Sequence, residues 1–361
     1  MHSLFDVKDF NVTLTTEHIP LQEYTTVWTF ASAKPNYGFA VAKSTPVIFN
    51  DTIIFGSDCG TLWCLESNTG RIKWAVPTSD TTGKGIISSP ALHNGRIYFG
   101  GYDGKLYGVD ADTGAVIIAK VMCNWIGSSP LIVKDKIYIG LEYKKAPQGV
   151  VACVDINTFE IVWTHPVTKM LHGSAVYSDK HNAIVIGTND GTVLTFDADA
   201  GTLINTIITD GPVKYHCALK DDYAVFGSFD GNIYTYNFIT GEKKFSYLTD
   251  DIVYSRPLIV GDKAFMGSAD GQFVVINLTS MTIETILECE EKVHSSPALI
   301  NGLVYFGTSA GELIGIDPIN YKTMVRLQFP ERLTNTLVSH NNLFYVYAYD
   351  NKMWAIKSCE I

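Results

Sequence analysis

Four side chains that can transfer protons near neutral pH occupy equivalent places in a repeated motif of this sequence. Each stands three residues before the Pro of a Ser-Ser-Pro-like triplet, or before the residue aligned with that Pro: His172, Tyr215, Tyr254 and His294. Imidazole and phenol groups are suited to general acid and base catalysis. If the triplets line one channel, these residues predict cofactor-free acid/base chemistry of the lyase, cyclase or isomerase type.

Further side chains near the triplets predict a binding site for a polar or anionic molecule. These candidates are Lys43, Trp125, His216, Cys217, Arg256 and Thr334. Arg256 and Cys217 align directly before the Pro, and Trp125 precedes the third triplet, where its ring would stack on a ligand. The aligned positions contain no carboxylate, so we expect a locally positive lining in which Lys43 and Arg256 hold a carboxylate or phosphate.

The same residues also have structural interpretations. Polar side chains at a wet channel mouth bind water, and a buried, inert thiol is the preferred interpretation of Cys217 over a nucleophile beside His172 or His294. The histidines come from different copies without the short spacing of a metal site, so we expect no metal ion. The bulky polar residues gather in copies four to seven, whereas copies two and three carry Ile87 and Gly127. This asymmetry favours one asymmetric ligand.

These triplets belong to a repeat of about 40 residues. Each of eight copies has a β-rich segment ending at an anchor residue: Gly56, Gly100, Gly140, Gly187, Gly227, Gly267, Gly307 and Tyr347. An Asp-Gly or similar turn follows the anchor, and an Asp-x-x-Thr-Gly-like turn leads to another apolar segment. Four short antiparallel strands per copy predict an all-β, eight-bladed propeller.

The last copy lacks a fourth strand, and the N-terminal part of the chain can supply it. Residues 25–30 resemble the fourth-strand segment 71–76, so a strand at about 25–31 is expected to complete the last blade and close the ring. We therefore interpret residues 24–361 as one propeller and residues 1–23 as an N-terminal extension. A closed ring makes a monomer the simplest expectation.

The net charge limits the classes of binding partner, and the cysteine pattern indicates the cellular compartment. The 361 residues carry a net charge of −10, which argues against nucleic acid or an anionic membrane surface as a partner. Seven scattered cysteines contain no CxxC pair, and the N-terminus lacks the apolar run of a secretory signal. We expect a cytoplasmic protein with reduced thiols whose partner is a small molecule or another protein.

The copies share the motif G-[ST]-x-D-G-x-[LIV]-[YW] and an Asp-x-x-Thr-Gly turn, and three of them carry the tryptophans Trp28, Trp74 and Trp163. With these features the repeat resembles the pyrroloquinoline-quinone-type propeller family and is also similar to the outer-membrane assembly lipoproteins. The resemblance implies that these tryptophans dock one blade on the next. In the quinone-dependent dehydrogenases of that family, a vicinal disulfide and a calcium ion hold the cofactor, but no two cysteines are adjacent here. We therefore expect no cofactor.

Two functions remain open from the sequence. The first is binding of a small polar or anionic organic molecule in the axial funnel, with or without acid/base chemistry. The second is a non-catalytic scaffold for protein interaction that uses the same face or the blade rims. A quinone-dependent dehydrogenase is the weaker third alternative.

Overall fold

The ring of eight four-stranded antiparallel sheets predicted from the repeat is confirmed. The computed structural model describes residues 23–32, 44–146 and 148–359, and all of its regular elements are strands. Residues 1–22, which form most of the predicted extension, and the candidate Lys43 lie outside the described residues. No helix long and apolar enough to cross a membrane occurs in the described part of the chain.

The first strand along the chain, β1 (Glu23–Ala31), belongs to the last blade, and the next sixteen strands build blades 1 to 4 in sequence order. Blade 1 contains β2 (Val47–Phe49), β3 (Thr52–Gly56), β4 (Thr61–Glu66) and β5 (Ile72–Pro77). Blade 2 contains β6 (Ala91–His93), β7 (Arg96–Gly100), β8 (Lys105–Asp110) and β9 (Val116–Val121). Blade 3 contains β10 (Leu131–Val133), β11 (Lys136–Glu142), β12 (Gly149–Asp155) and β13 (Ile161–Val167). Blade 4 contains β14 (Val176–Ser178), β15 (Ala183–Gly187), β16 (Thr192–Asp197) and β17 (Leu203–Ile208).

Blades 5 to 8 repeat this order until the last strand. Blade 5 contains β18 (Ala218–Lys220), β19 (Tyr223–Gly227), β20 (Asn232–Asn237) and β21 (Lys243–Leu248). Blade 6 contains β22 (Leu258–Val260), β23 (Lys263–Gly267), β24 (Gln272–Asn277) and β25 (Thr282–Glu288). Blade 7 contains β26 (Ala298–Ile300), β27 (Leu303–Gly307), β28 (Glu312–Ile316) and β29 (Thr323–Gln328). Blade 8 contains β30 (Val338–His340), β31 (Leu343–Tyr347), β32 (Lys352–Cys359) and β1.

Burial of the strands explains the sequence pattern of each copy. The second and third strands are largely buried, because neighbouring blades cover both of their faces, and they are therefore almost continuously apolar. The fourth strands alternate between more and less exposed positions, as β9 and β17 do. The short first strands lie side by side around the axis. The segments that enter them are therefore placed to line a central channel.

Tryptophans in three fourth strands dock their blade on the next one, as the resemblance implies. The indole Nε1–H of Trp74 donates to the carbonyl oxygen of Ala111 at 3.1 Å, and its ring lies against Gly114. Trp28 and Trp163 make the same bond to Ser67 (2.8 Å) and Ala198 (3.2 Å). At these three junctions the indole ring lies against a glycine of the facing turn: Gly70, Gly114 or Gly201.

Replacement of this docking residue should destabilise the ring. For Trp74→Ala we expect the free energy of unfolding to fall by about 3–5 kcal/mol, because a buried indole and an inter-blade hydrogen bond are lost together. Urea denaturation followed by far-UV circular dichroism measures the change. Trp125→Ala removes a half-buried tryptophan outside this docking position and should cost clearly less. Equal losses for both variants would contradict the docking role.

The two serines of the Ser-Ser-Pro triplet have structural roles that the sequence did not reveal. In blade 2, Ser88 Oγ donates to the carbonyl oxygen of Gly100 (2.8 Å) and accepts its N–H (2.9 Å), which ties the entering segment to β7. The next serine accepts an N–H from the preceding blade: Ser89 from Thr45, Ser129 from Ser89, Ser174 from Ser129 and Ser296 from Arg256, all at 2.7–2.9 Å. A chain of hydroxyl bonds thus links neighbouring blades around the channel.

Candidate functional site

The segments entering the first strands surround a cavity of about 510 Å³ on the propeller axis. Two rings of side chains line this funnel. The first ring, three residues before the Pro position, contains Ile87, Gly127, His172, Lys214, Tyr254, His294 and Thr334. The second ring, one residue before it, contains Thr45, Ser89, Ser129, Ser174, His216, Arg256, Ser296 and Thr336. His172, Tyr254, His294, Arg256 and Thr334 therefore lie where the alignment placed them.

The alignment was wrong by one residue in the fifth copy. The first strand there begins at Ala218, so Cys217 occupies the Pro position and His216 the second ring. Cys217 is 1% exposed in an apolar cluster with Val213 and Phe226, and burial raises its pKa to about 12. It is a packing residue, not a funnel residue. Tyr215 takes the place of the first serine but still lines the cavity, while Lys214 takes the first-ring position.

Trp125 is also not among the residues that line the funnel. Its backbone forms a bridge with Glu142, and the Nζ atom of Lys144 lies 5.5 Å from the centre of its ring. The expectation that Trp125 stacks on a funnel ligand is therefore corrected: this ring faces a loop lysine instead.

Two cations in the funnel have no carboxylate partner. Within the described residues, neither Lys214 nor Arg256 forms an ion pair, and no Asp or Glu lines the cavity. Lys214 Nζ lies 4.4 Å from the centre of the Phe229 ring. Desolvation lowers the pKa of both Lys214 and Arg256. A pair of desolvated cations without counter-charges is a strong attractor for an anion.

Aromatic side chains form the wall beside these cations. The ring of Tyr254 contacts those of His294, Phe229 and Tyr215 edge-on, with centroid distances of 4.7, 5.2 and 6.1 Å. Burial, and next the proximity of Tyr254, raises the pKa of Tyr215, so its phenol remains protonated and can donate a hydrogen bond. Blades 5 to 7 thus combine positive charge with an apolar wall.

Several polar atoms of the funnel are buried without a hydrogen-bond partner in the described part of the chain. They are His294 Nε2, Thr334 Oγ1 and both polar side-chain atoms of Asn335. Leaving a buried polar atom without a hydrogen-bond partner lowers the stability of the folded protein by about 1–3 kcal/mol. Such atoms therefore suit a site where a ligand supplies the missing hydrogen bonds. Asn335 was not predicted, because it stands in the position where most copies have a packing serine.

Two of the three histidines that line the funnel, His216 and His294, should make stability depend on pH. Desolvation, and secondarily the charge of Arg256, lowers the pKa of His216 to about 3; desolvation, Lys292 and Arg332 lower that of His294 to about 4. Below about pH 6.5 the unfolded chain therefore binds protons that the folded chain does not. Stability should fall with pH from 6.5 towards 4, by about 1 kcal/mol per pH unit for each histidine.

Urea unfolding between pH 7 and pH 4.5 measures this dependence. The double variant His216→Gln/His294→Gln should show a much flatter profile, whereas His93→Gln, at the end of β6 and outside the funnel, should keep the wild-type slope. An unchanged slope in the double variant would refute the assignment of these histidines as neutral, desolvated groups.

A buried carboxylate behind the first ring was missed as well. Glu142, at the end of β11, is 1% exposed, and its Oε1 lies 3.6 Å from Nδ1 of His172. It stands two residues after the anchor Gly140. The same offset in other copies gives Tyr102, Asn189 and Phe229, which also contact funnel residues or Glu142. The position two residues after each anchor is therefore the sequence signal from which these side chains behind the first ring could have been predicted.

Comparison with known proteins agrees with the architecture. The family model described as outer membrane protein assembly factor BamB matches residues 22–140 and 147–282. BamB from Moraxella catarrhalis is similar in structure, with a TM-score of 0.72 and 19% identity over 92% of this chain and 99% of that one. The computationally designed Ika8 protein has a TM-score of 0.74 and 16% identity, over 90% of this chain and 98% of its own.

A cofactor-dependent enzyme is among the similar structures. The quinohemoprotein alcohol dehydrogenase from Comamonas testosteroni has a TM-score of 0.75 and 10% identity, over 94% of this chain and 77% of that one. At these identities the structural likeness establishes the propeller fold alone. No curated protein matches the sequence.

Proposed function

This chain belongs to the family of the outer membrane protein assembly factor BamB, and we propose that its axial funnel binds a small organic anion. The observation that carries the proposal is the presence of Lys214 and Arg256, two desolvated cations without a carboxylate partner in the described residues, beside an aromatic wall. An anionic group bound there would supply the missing counter-charge.

Size and chemistry of the lining support a ligand of metabolite dimensions. A cavity of about 510 Å³ lies within the usual range of small-molecule pockets, roughly 300–1,000 Å³. The guanidinium of Arg256 is suited to bidentate binding of a carboxylate or phosphate. Thr334 and Asn335 offer further hydrogen-bonding atoms on the neighbouring blade. The ligand we propose is therefore an organic carboxylate or phosphate with an apolar or aromatic part.

Acid/base chemistry on this ligand is the finer part of the proposal. His172, Tyr215, Tyr254 and His294 line the same cavity as the cations and are the proton carriers we propose. The reaction would be a proton transfer of the lyase, cyclase or isomerase type and would use no cofactor.

The quinone cofactor of the related dehydrogenases does not fit these residues. Calcium prefers carboxylate and carbonyl oxygen ligands, whereas the described lining contains no Asp or Glu and includes the cations Lys214 and Arg256. The described residues also contain no group of three His, Cys, Asp or Glu side chains able to hold a metal ion. The sequence has no adjacent cysteines. A quinone and a calcium ion are therefore no part of the proposed chemistry.

A protein-interaction scaffold is the second candidate function, and the exposed rim supports it. The fourth strands of blades 2 to 4 expose large apolar side chains: Val116, Ile117, Val121, Ile161, Val162, Leu203, Ile204 and Ile208. Exposed large apolar side chains in number are a feature of protein-binding surfaces. We propose a protein partner for this rim if the funnel proves to bind no ligand.

Capture of ligands from a metabolite extract tests the first proposal. The purified protein is incubated with the extract, and retained compounds are identified by mass spectrometry. We expect an organic anion to be retained by wild type and lost by Arg256→Met/Lys214→Met. Lys120→Met removes a rim cation that pairs with Glu160 and should retain the compound. The same compounds on all three proteins, or none on any, would contradict anion binding and favour the scaffold, whose partner should be lost on Val121→Asp/Ile208→Asp.

A cytoplasmic location also remains a proposal. The six cysteines whose side chains the structure describes are free thiols, which suits a reducing compartment. Cell fractionation with an antibody against the protein tests this directly.

A further inference from the structure

We propose that Glu142 positions His172 as the base of the funnel, by holding the imidazole proton on Nδ1 so that Nε2 accepts a proton from the bound ligand. The inference rests on the proposed binding of a ligand in the funnel and assigns a specific role to a residue outside the cavity lining. Glu142 is a positioning residue in this scheme, because it acts through His172.

The backbone fixes the position of Glu142. Its N–H donates to the carbonyl oxygen of Trp125 at 3.0 Å, and the N–H of Trp125 donates back to the carbonyl oxygen of Glu142 at 3.2 Å. This pair of bonds extends the edge of β11 towards the funnel. The carboxylate is thereby held against His172, with 3.6 Å between Oε1 and Nδ1. His172 retains 29% side-chain exposure and lines the cavity, whereas Glu142 is buried.

Gly127 makes room for the carboxylate behind the first ring. A Cβ atom at this position would lie 3.1 Å from Oε1 of Glu142 and 3.3 Å from the hydroxyl oxygen of Tyr102. Both distances are shorter than ordinary van der Waals contact. Because Gly127 has no side chain, the carboxylate of Glu142 has room between blades 3 and 4.

Asn189 completes the surroundings of the Nδ1 atom. Its Nδ2 atom lies 3.0 Å from Nδ1 of His172, and its Oδ1 atom is buried without a hydrogen-bond partner in the described residues. A half-turn of the amide exchanges the two atoms, so that Oδ1 accepts the Nδ1–H bond. A proton on Nδ1 then faces both an amide oxygen and a carboxylate. Nε2, at the other side of the ring, is left as the proton acceptor.

Of the other titratable groups near this pair, Tyr102 and Cys123 are neutral and Lys214 is positive, while Asp80 is a second acid that acts on Tyr102. Burial, and next the charge of Glu142, raises the pKa of Tyr102, over whose ring Lys84 Nζ lies at 5.1 Å. Burial raises the pKa of the Cys123 thiol to about 12. Lys214 occupies the next first-ring position. Glu142 is therefore the group that stabilises an imidazolium at His172.

The two sides of the funnel then have complementary tasks. Arg256 and Lys214 hold the anionic group of the ligand, and His172 Nε2 takes a proton from a C–H or O–H bond of the same ligand. The electron pair of that bond stays on the ligand, while the positive charge gained by His172 lies beside Glu142. Returning the proton to another atom of the ligand completes an isomerisation or elimination without an oxidant or reductant.

Nuclear magnetic resonance of the ligand-free protein tests the inference. Nitrogen-15 shifts of the His172 ring report its tautomer and its titration. We expect the Nδ1–H tautomer in wild type, and a proton affinity of His172 lowered about tenfold or more in Glu142→Gln. Gly127→Ala, which presses on the carboxylate, should change the titration in the same direction by less.

Glu312→Gln is the matched control, because it removes a carboxylate that pairs with Arg326 in blade 7. It should leave the His172 titration unchanged. The Nε2–H tautomer in wild type, or an unchanged titration in Glu142→Gln, would overturn the inference. Since no ligand is present, this result is separate from any failure of anion binding.

Discussion

Deletion of residues 24–31 is expected to unfold the whole ring rather than fray one blade. β1 pairs with β32 from Glu23 opposite Cys359 to Ala31 opposite Lys352, so the deletion leaves β32 with an open edge. It also removes two buried side chains, Tyr24 and Trp28, each 8% exposed. Burial of a large aromatic residue is worth about 3–5 kcal/mol, so their loss approaches the total stability of an ordinary domain.

The same strand also seals the junction between the last blade and the first. Trp28 Nε1 and the Tyr345 hydroxyl both donate to the carbonyl oxygen of Ser67 in blade 1, at 2.8 and 3.1 Å. Ser32 Oγ lies 2.7 Å from the hydroxyl of Tyr347. Without β1, this blade interface loses the hydrogen bond of Trp28 and the Trp28 ring from its buried cluster. The effect must therefore spread beyond blade 8.

Urea denaturation and near-UV circular dichroism measure the collapse. We expect the truncated protein to lack a cooperative unfolding transition at 25 °C, and a synthetic peptide of residues 23–32 to restore it when added in trans. A peptide of the same composition in scrambled order should not. A truncated protein with an unchanged unfolding midpoint would show that the ring does not depend on its closing strand.

The double variant Arg256→Met/Lys214→Met should be more stable than wild type. Both cations are desolvated, and neither has a carboxylate partner in the described residues, so their replacement removes the cost of burying unpaired charge. We expect the free energy of unfolding to rise by about 1–3 kcal/mol. Residues that serve ligand binding often destabilise the free protein in this way, whereas structural residues stabilise it.

Arg326→Met provides the control for this gain. Arg326 lies 2.8 Å from Glu312, so its replacement breaks an ion pair and should leave stability unchanged or lower it slightly. If the funnel variant instead loses stability, Arg256 and Lys214 serve the fold and the anion site is wrong. Urea unfolding at pH 7.5 compares the three proteins under conditions in which His216 and His294 are neutral in both states.

The architecture was predictable because its signals are periodic and local. An anchor glycine every 40 residues, the Asp-Gly turns and the incomplete last copy define the blades and the closing strand without any long-range information. The docking tryptophans were assigned by resemblance. The chain of serine hydrogen bonds was not predicted. The sequence shows only a small residue at these positions and does not show the backbone N–H of the preceding blade that donates to it.

The funnel was harder to predict, because some of its residues replace the Ser-Ser-Pro residues on which the copies are aligned. Cys217 stands where other copies have Pro, and Tyr215 replaces a serine, so residue types misplaced the fifth copy by one. A count back from the anchor corrects this, since His216, Arg256 and Ser129 all precede their anchor glycines by eleven residues. Glu142 was missed because it lies on the second strand, behind the cavity lining, where its carboxylate occupies the space beside Gly127.

Isothermal titration of the captured anion tests the central claim most directly. A charged hydrogen bond to a carboxylate or phosphate contributes about 1.5–3 kcal/mol, so Arg256→Met should weaken binding roughly 10- to 150-fold relative to wild type. Lys120→Met should bind as wild type does. Equal affinity of wild type and Arg256→Met would contradict an anion site in the axial funnel.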